Sequence, residues 1–532
     1  MGSLPFDLPN LDTDSSRIRA LGVKNSGVSE FTFDRVFPVT RMASSDRSMS
    51  GGRLAEFRMR SDSSRWINWR ETKLQCTYEV AMTTSGSQDA GDPVTGVDLM
   101  GFPMSTRMIA CPNHAVFDAG MSYTLNSTTV ENNTHPHQSA MIALQTRTDM
   151  FDVATTGSGS LMSLQKDSGT YGETIQDPEA LTGDYYVSQS SALTNPKIAV
   201  LQNFYDVATK KATFDVAEPL IALSSLQHGY FAPPGDHRLE FTVANNFANQ
   251  LATDFTVETD GTAMQISSEP IPTSAAELNA NPGKLYINIS NIELSVCYVS
   301  PSGPSYIPRS VALKFSPYMI TTKAITGRSI LESIVCPPAT RAVYLWVRQT
   351  GLVGLGMDNE ELGLATMGIN VRDRANTADT TKIATLETLE VQLGSSVAGR
   401  YTGMDPFKGK MQRPWNDYLS TIGKPTAMRG GQMTYGQYCG VVNEFRTANA
   451  PSGFVAANRA NVGRTCGGFY MRILNPSGNL SNVMRISGEL NATPGGAAGL
   501  ELVVCCVSDR LLQCEYVEGQ EIPTATRVTD IL

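Results

Sequence analysis

Histidines, cysteines, paired acids and tryptophans are the side chains here that could do chemistry, and their spacing suits it poorly. The five histidines are His114, His135, His137, His228 and His237. His135-Pro136-His137 has the look of half a metal site. Its proline favours an extended chain, and no neighbouring cysteine or carboxylate cluster completes a ligand set. A surface loop is the plainer reading. Gly403 to Lys410 has the outline of a phosphate-binding loop, but the spacing is one residue too long and Met411 replaces the required Ser or Thr. Gly354-Leu355-Gly356 lacks the third glycine of a dinucleotide fingerprint, and Glu360 lies too close to be the ribose acid. Glu360-Glu361 reads as solvated loop charge. The chain contains no G-x-S-x-G elbow, H-E-x-x-H pair or kinase signature. Trp66, Trp69, Trp346 and Trp415 could stack on sugars, but two lie within strand-like sequence, which favours core or interface packing. Arg413-Pro414-Trp415 reads as a proline-stiffened loop that anchors Trp415 at an interface. No catalytic, cofactor-binding or metal-binding residue is assigned, and the expectation is a structural protein, not an enzyme.

Nine cysteines (Cys76, Cys111, Cys297, Cys336, Cys439, Cys466, Cys505, Cys506 and Cys514) make an odd count without a CxxC spacing. Several sit in apolar strand patterns, where a thiol behaves as a small hydrophobe. That usage implies a reducing compartment, cytosol or nucleus. The segment Met1 to Asn10 lacks the basic start and apolar core of a signal peptide. Phe6 stands where a myristoylation site wants Ser or Thr. The five sequons at Asn126, Asn132, Asn288, Asn479 and Asn491 are therefore read as products of an Asn/Ser/Thr-rich composition. No run approaches the ~18 apolar residues of a membrane span. The net charge of −9, with no basic block, argues against direct binding to phosphates. If the protein encloses nucleic acid, another component neutralises most of it.

The 532 residues suffice for two to four domains with large cores. Charged residues are 17% of the chain, against about 25% in typical domains, while 41% are hydrophobic. This is a composition of many strands and turns. Strand signal begins at Phe31-Thr32-Phe33 and is clearest from Lys73 to Met82, where Leu74, Cys76, Tyr78, Val80 and Met82 alternate with mostly polar residues. Leu285, Ile287 and Ile289 continue the pattern. The phase slips near Asn291 and resumes at Ile292, Leu294, Val296 and Tyr298, which predicts a β-bulge or bend. Leu239–Val243, Val311–Phe315, Val343–Val347, Leu389–Leu393, Phe469–Ile473, Met484–Leu490, Leu500–Cys506 and Leu512–Tyr516 are further strands. Short helices are expected at 139–151 and 200–208. Residues 152–198 and 351–384 carry little pattern and read as excursions from the scaffold. The Ser300-Pro301-Ser302-Gly303-Pro304-Ser305 cluster is the best domain boundary.

The order of these phrases resembles a known family. Trp66-Ile67-Asn68-Trp69-Arg70-Glu71-Thr72-Lys73-Leu74 is similar to the opening strand of the double jelly-roll major capsid proteins of polinton-like viruses, polintons and virophages, the adenovirus-like lineage. Phe117-Asp118 and Tyr123 through Glu131 resemble the next block, with Ser127 in place of the family's usual glycine. Phe231-Ala232-Pro233-Pro234-Gly235, Lys284–Val299, Ser310–Ser316 and Ile334 through Arg341 follow in the family's order. Leu389 through Gly394, followed by Tyr401, resembles a strand leaving the barrel toward an outer loop. The match spans roughly residues 31 to 520 and lies in the succession of weak phrases.

The resemblance implies an all-β fold of two tandem jelly-roll β-barrels with long loop insertions and a few short helices. The expected plan is an N-terminal arm at 1–30, a first barrel at 31–300 with an insertion near 152–198, a second at 301–520 with an insertion near 351–384, and a tail at 521–532. It implies a major capsid protein forming pseudo-hexameric trimeric capsomers of an icosahedral double-stranded DNA virus, located in the virion capsid and assembled in host cytoplasm or nucleus. Its partners would be its own copies as a homotrimer, neighbouring capsomers, penton and minor capsid or cement proteins. Contact with packaged DNA or an internal membrane would be indirect, without sequence-specific nucleic-acid binding. The rivals are a two-domain β-sandwich adhesin or glycan-binding surface protein, which would be expected to carry a secretion signal, and a jelly-roll or cupin hydrolase, which would need a convergent His/Asp/Glu set.

Overall fold

The computed structural model describes residues 28–39, 52–62, 64–82, 112–146, 205–206, 211–227, 232, 234–245, 247, 255–256, 263–267, 284–301, 310–338, 340–349, 370–371, 384–394, 396–404, 410–421, 468–473, 483–490, 500–517 and 523–531. The first half contains β1 (Val28–Val36), β2 (Leu54–Ser61), β3 (Trp66–Met82), β4 (Gly120–Leu125), β5 (Thr128–Asn133), β6 (Tyr205–Asp206), β7 (Lys211–Pro219), β8 (Gly235–Thr242), β9 (Phe255–Thr256), β10 (Ala263–Ser267) and β11 (Lys284–Pro301). The second contains β12 (Ser310–Phe315), β13 (Tyr318–Ile325), β14 (Ser329–Val335), β15 (Thr340–Gln349), β16 (Asn370–Val371), β17 (Ala384–Leu393), β18 (Ser396–Thr402), β19 (Phe469–Arg472), β20 (Val483–Leu490), β21 (Leu500–Ser508), β22 (Arg510–Glu515) and β23 (Ala525–Asp530). The helices are α1 (Pro112–Val116), α2 (Pro136–Thr146) and α3 (Gln412–Thr421).

The pairing repeats. Leaving out the short β6, β9 and β10, the first half has one sheet running β1-β11-β3-β7 and another running β2-β8-β4-β5. Leaving out β12, β16, β22 and β23, the second half has β13-β21-β15-β19 and β14-β20-β17-β18. In both, the first, eighth, third and sixth strands make one sheet and the second, seventh, fourth and fifth the other. That order is a jelly roll, made twice. The two sheets face each other in each half: the Trp69 ring on β3 meets Tyr123 on β4 edge-on at 5.7 Å, and Tyr401 on β18 meets Phe469 on β19 at 5.4 Å.

Alternation explains the cores. Leu74, Cys76 and Tyr78 of β3 are fully buried, as are Ile287 and Ile289 of β11. The predicted slip is present: Asn291 takes φ +48°, and the β11–β3 register jumps between Ser290 and Glu293. Ile292, Leu294 and Val296 are thereby returned to the core. The turn between β4 and β5 places Asn126 and Ser127 at φ +46° and +71°. Two successive left-handed residues are the requirement of a type I′ hairpin. Ser127 meets it without being glycine. Asn126 also holds β8: its N–H donates to the Asp236 carbonyl and its Oδ1 accepts the Asp236 N–H, each at 2.9 Å.

Several local expectations change. The helix expected at 139–151 starts earlier and runs Pro136–Thr146. His135-Pro136-His137 is therefore a helix start and not an extended surface loop. Pro136 fits because the first turn has no use for its missing N–H, while Asp118 Oδ1 accepts the His137 N–H at 2.9 Å. Within the helix expected over 200–208, Tyr205–Asp206 instead form β6 against β7; the rest of that span lies outside the described residues. Arg413-Pro414-Trp415 lies in the first turn of α3, not in a loop. Tyr401 does not follow a strand leaving the barrel: β17 turns back at Gly394 and Tyr401 is buried on β18. Residues 525–530, expected in a tail, form β23 beside β22. The expectations at 152–198, at 302–305 and across nearly all of 351–384 lie outside the described residues.

Gly488 on β20 marks a tight spot. A Cβ there would stand 2.6 Å from the Thr388 carbonyl oxygen, beside the register jump between Leu386 and Thr388. Backbone cannot yield as a side-chain tip can. Gly488→Ala should lower unfolding free energy by about 1–3 kcal/mol, seen as a lower urea midpoint at unchanged slope.

Candidate assembly surfaces and the inter-barrel seam

Among the described residues, three of the histidines are held in buried hydrogen-bond networks. His114 on α1 pairs through Nδ1 with Glu218 Oε2 at 3.0 Å, both fully buried. The adjacent Asn113 donates from Nδ2 to the carbonyls of Leu74 and Val216, donates its N–H to Glu218 Oε2, and accepts from Tyr78 OH. This network fastens α1 across β3 and β7. His237 stands between Ser61, at 2.7 Å from Nε2, and Tyr123, at 2.9 Å from Nδ1. The line Ser–His–Tyr has the outline of a nucleophile, base and orienter. All three side chains are sealed in the barrel interior, so a substrate has no approach. His135 is half-buried and His137 buried, and His228 lies outside the described residues. Among the described residues no three of His, Cys, Asp and Glu come together as a metal site. Of the loop motifs, Gly403 and Lys410 are exposed; Gly354–Gly356 and Glu360-Glu361 lie outside the described residues.

Trp69 and Trp346 are buried in the two barrels, Trp66 is half-buried, and Trp415 is nearly covered. Trp415 packs on Tyr418 at 5.4 Å, and Tyr418 on Tyr470 at 4.9 Å. α3 thus closes the outer side of β19. Cys76, Cys297, Cys336, Cys505, Cys506 and Cys514 are buried thiols.

Glu131, buried at the end of β5, has a structural task. Its Oε1 accepts the Ser224 N–H and hydroxyl, and its Oε2 accepts the Ser225 N–H at 2.7 Å. Burial pushes its carboxyl pKa up, and the hydrogen bonds from Ser224 and Ser225 only partly offset that. A raised folded-state pKa gives stability that is full below the unfolded value and is lost as pH rises through the folded one.

The halves are joined by a third sheet, β12-β22-β23. Val311, Leu313 and Phe315 of β12 and Leu512 and Cys514 of β22 are buried. Their apolar residues belong to one core cluster with those of both barrels. Tyr516 OH donates to the Pro234 carbonyl at 2.9 Å, and Thr128 Oγ1 donates to the Thr526 carbonyl at 3.3 Å. The seam therefore grips the end of the first barrel at the β4–β5 hairpin. On the second barrel's side, Asp509 gathers Lys314 at 2.6 Å, Arg341 at 2.9 Å and the Ser316 hydroxyl at 2.8 Å.

Two outer faces carry exposed apolar side chains. On β1, Phe31 and Phe33, with Phe37 and Val39 just beyond, stand 48 to 60% exposed. Among the described residues β1 pairs only with β11. Arg35, in the same row, clasps buried Glu293 through Nε and Nη2 and lies over the Phe37 ring at 5.7 Å. On the second barrel, Leu331 and Val335 of β14, Val483 of β20 and Val397 of β18 stand 40 to 80% exposed on one outer sheet face, which also carries the Glu390–Arg400 ion pair and exposed Arg485. The equivalent face of the first barrel carries a denser charge cluster, Glu56 with Arg58 and Arg238, and Arg238 with Glu240, and Leu54 as its exposed large apolar residue among those described. The alternation rule finds the strands in these patches, but an apolar outward row looks the same in sequence as an inward one.

No protein-family model matches the chain, and no curated protein matches it. Solved structures do. A chain from the cryo-EM structure of the Sputnik virophage is 12% identical, with 95% of this chain and 89% of that one aligned and a TM-score of 0.51. The double jelly-roll fold is established. The mavirus major capsid protein aligns over 94% of this chain and 90% of its own, at 10% identity and TM-score 0.47. The Faustovirus major capsid protein aligns over 91% and 90%, at 9% identity and TM-score 0.44. At such identities the double jelly-roll likeness concerns the fold.

Two measurements test the seam and the buried acid. Tyr516→Phe should cost about 1–2 kcal/mol by orphaning a buried carbonyl, with the barrels still melting together in calorimetry. The stability difference between wild type and Glu131→Gln should widen in favour of wild type as pH falls through Glu131's raised folded-state pKa, read from urea titrations at stepped pH.

Proposed function

We propose that this chain is the major capsid protein of an icosahedral double-stranded DNA virus and works as a trimeric capsomer. One observation carries the reading: two barrels of identical strand order, joined in one chain, whose outer faces differ. A head-to-tail ring needs two different patches that meet across copies. The β1 row of phenylalanines and the β14–β20–β18 face are such a pair, one on each barrel. Exposed apolar rows of this kind on a sheet edge are a liability unless covered. Three copies of two barrels give the six-lobed outline that tiles a shell. The likeness to a chain of a virophage favours this reading over a two-domain adhesin.

Within it, the barrel boundary falls at the 300–305 cluster, the arm expected at 1–30, which ends where β1 begins at Val28, lies on the inner face or under a neighbour, and the insertions at 152–198 and 351–384 build the outer tower and intersubunit contacts. Penton, cement and neighbouring capsomers are the further partners. The task is structural, in the virion capsid, with assembly in host cytoplasm or nucleus.

Light scattering on the purified protein should give three times the chain mass, and negative-stain images should show three-lobed particles with a roughly hexagonal base. Phe33→Asp on β1 and Leu331→Asp on β14 should each weaken the trimer at least tenfold while leaving the circular dichroism spectrum unchanged; about 1.4 kcal/mol per interface suffices. A wild-type chain that stays monomeric at high concentration would sink the proposal.

A further inference from the structure

Two of the buried thiols touch. Cys336 directly follows β14, and Cys506 lies in β21, so they connect the two facing sheets of the second barrel. Their sulfurs are 3.6 Å apart, with Cys506 donating its S–H to the Cys336 sulfur. We propose that Cys336 and Cys506 are a redox modification site, closing to a disulfide that staples the second barrel when the protein meets a small disulfide or diazene oxidant.

Geometry selects this pair. A disulfide needs the sulfurs at about 2.0 Å, so they must close from 3.6 Å. Cys336 leads into the turn at Pro337-Pro338, next to exposed Val335, where a small backbone adjustment is easier than within a paired strand. Cys505 does not compete. It neighbours Cys506 on β21, so its side chain points to the opposite sheet face, beside its register partners Ile320 and Tyr344. The charge distribution assigns roles. The Cys506 S–H draws the Cys336 pKa below the ordinary thiol range, aided by a bond from the Met484 backbone, while the same contact and burial push Cys506 up. Cys336, 3% exposed at the mouth of the Pro337-Pro338 turn, is therefore the thiolate that reacts first, when that turn opens to admit the oxidant.

With a disulfide oxidant, the Cys336 thiolate attacks one sulfur. The oxidant's S–S bond breaks, a mixed disulfide forms and one thiolate leaves. Cys506 then gives up its proton and attacks the Cys336 sulfur, expelling the second thiolate. Two protein thiols lose two electrons, and the oxidant becomes two thiols. The closed loop spans a sequence separation of 170, so the bond removes much freedom from the unfolded chain. A reducing compartment keeps the pair open, and an oxidising medium closes it. The site is independent of the capsid reading, because both thiols lie within one chain.

The test uses the purified full chain, reduced or treated with glutathione disulfide or diamide. Expected are a mass lower by two hydrogens, a cross-linked peptide joining Cys336 to Cys506, and a thermal midpoint raised by on the order of 10 °C. Cys336→Ser and Cys506→Val should each lose the cross-link and the rise. Because the wild-type chain is compared with itself, the result stands even if a variant fails to fold. Recovery of both cysteines as alkylatable thiols after oxidation, a cross-link elsewhere, or a midpoint that does not rise would each overturn the proposal.

Discussion

Burial of alternate side chains between two facing sheets is the constraint on which this molecule depends. Each barrel closes because every second residue of its strands is apolar and meets the facing sheet across about 10 Å. The rule also dictates the irregularities. At Asn291 the chain spends an extra residue at φ +48°, which keeps Ile292, Leu294 and Val296 on the buried side. Without that bulge the rest of β11 would present its apolar face to the wrong layer. The central β11 contacts β3 along most of its length and β1 and β10 on its other edge, so a misplaced register there would spread through the whole sheet.

Charges are few, and several of those inside are committed to holding backbone in place. Glu131 secures the turn at Ser224-Ser225, Glu218 secures α1 through Asn113 and His114, and Glu293 anchors Arg35 of the edge strand. Buried ionisable groups add little net stability and penalise the loss of a partner heavily. Their use here is positional: each fixes a segment that strand pairing alone would leave free to slide. The Ser61–His237–Tyr123 line belongs to the same class. Its geometry suits a proton relay, and its burial denies it a substrate.

The strands of the barrel centres were legible because their patterns are long and regular. β3, β11, β20 and β21 follow from period two, and the bulge follows from a break in it. The helices were less legible. α2 begins on Pro136 because Asp118, distant in sequence, accepts the His137 N–H. Arg413-Pro414-Trp415 folds into α3 because Tyr470 offers Tyr418 an aromatic surface. Both depend on partners that local sequence does not name. The strand at Tyr205–Asp206 exists only by pairing with β7. β23 likewise depends on β22 as its template. The exposed rows on β1 and β14 were invisible for a different reason: hydrophobic alternation states which residues share a face and not which face meets water.

Divergence between the two barrels follows from their fusion. Identical barrels would present identical faces, and one contact type would have to serve both within the chain and between chains. Here the contact within the chain has its own device, the β12-β22-β23 sheet, which buries its apolar side between the halves and is held by the Tyr516–Pro234 bond. Covalent linkage brings those surfaces together at high effective concentration, so this seam can form without outward display. A contact between chains must instead be displayed and wait for its partner. On the capsomer reading proposed above, that requirement accounts for phenylalanines left standing on β1 of one barrel, and for leucine and valine on β14 of the other. On the same reading, two unlike patches separated by the seam set the angle between successive copies, and that angle decides whether head-to-tail association closes into a ring or runs on as a filament.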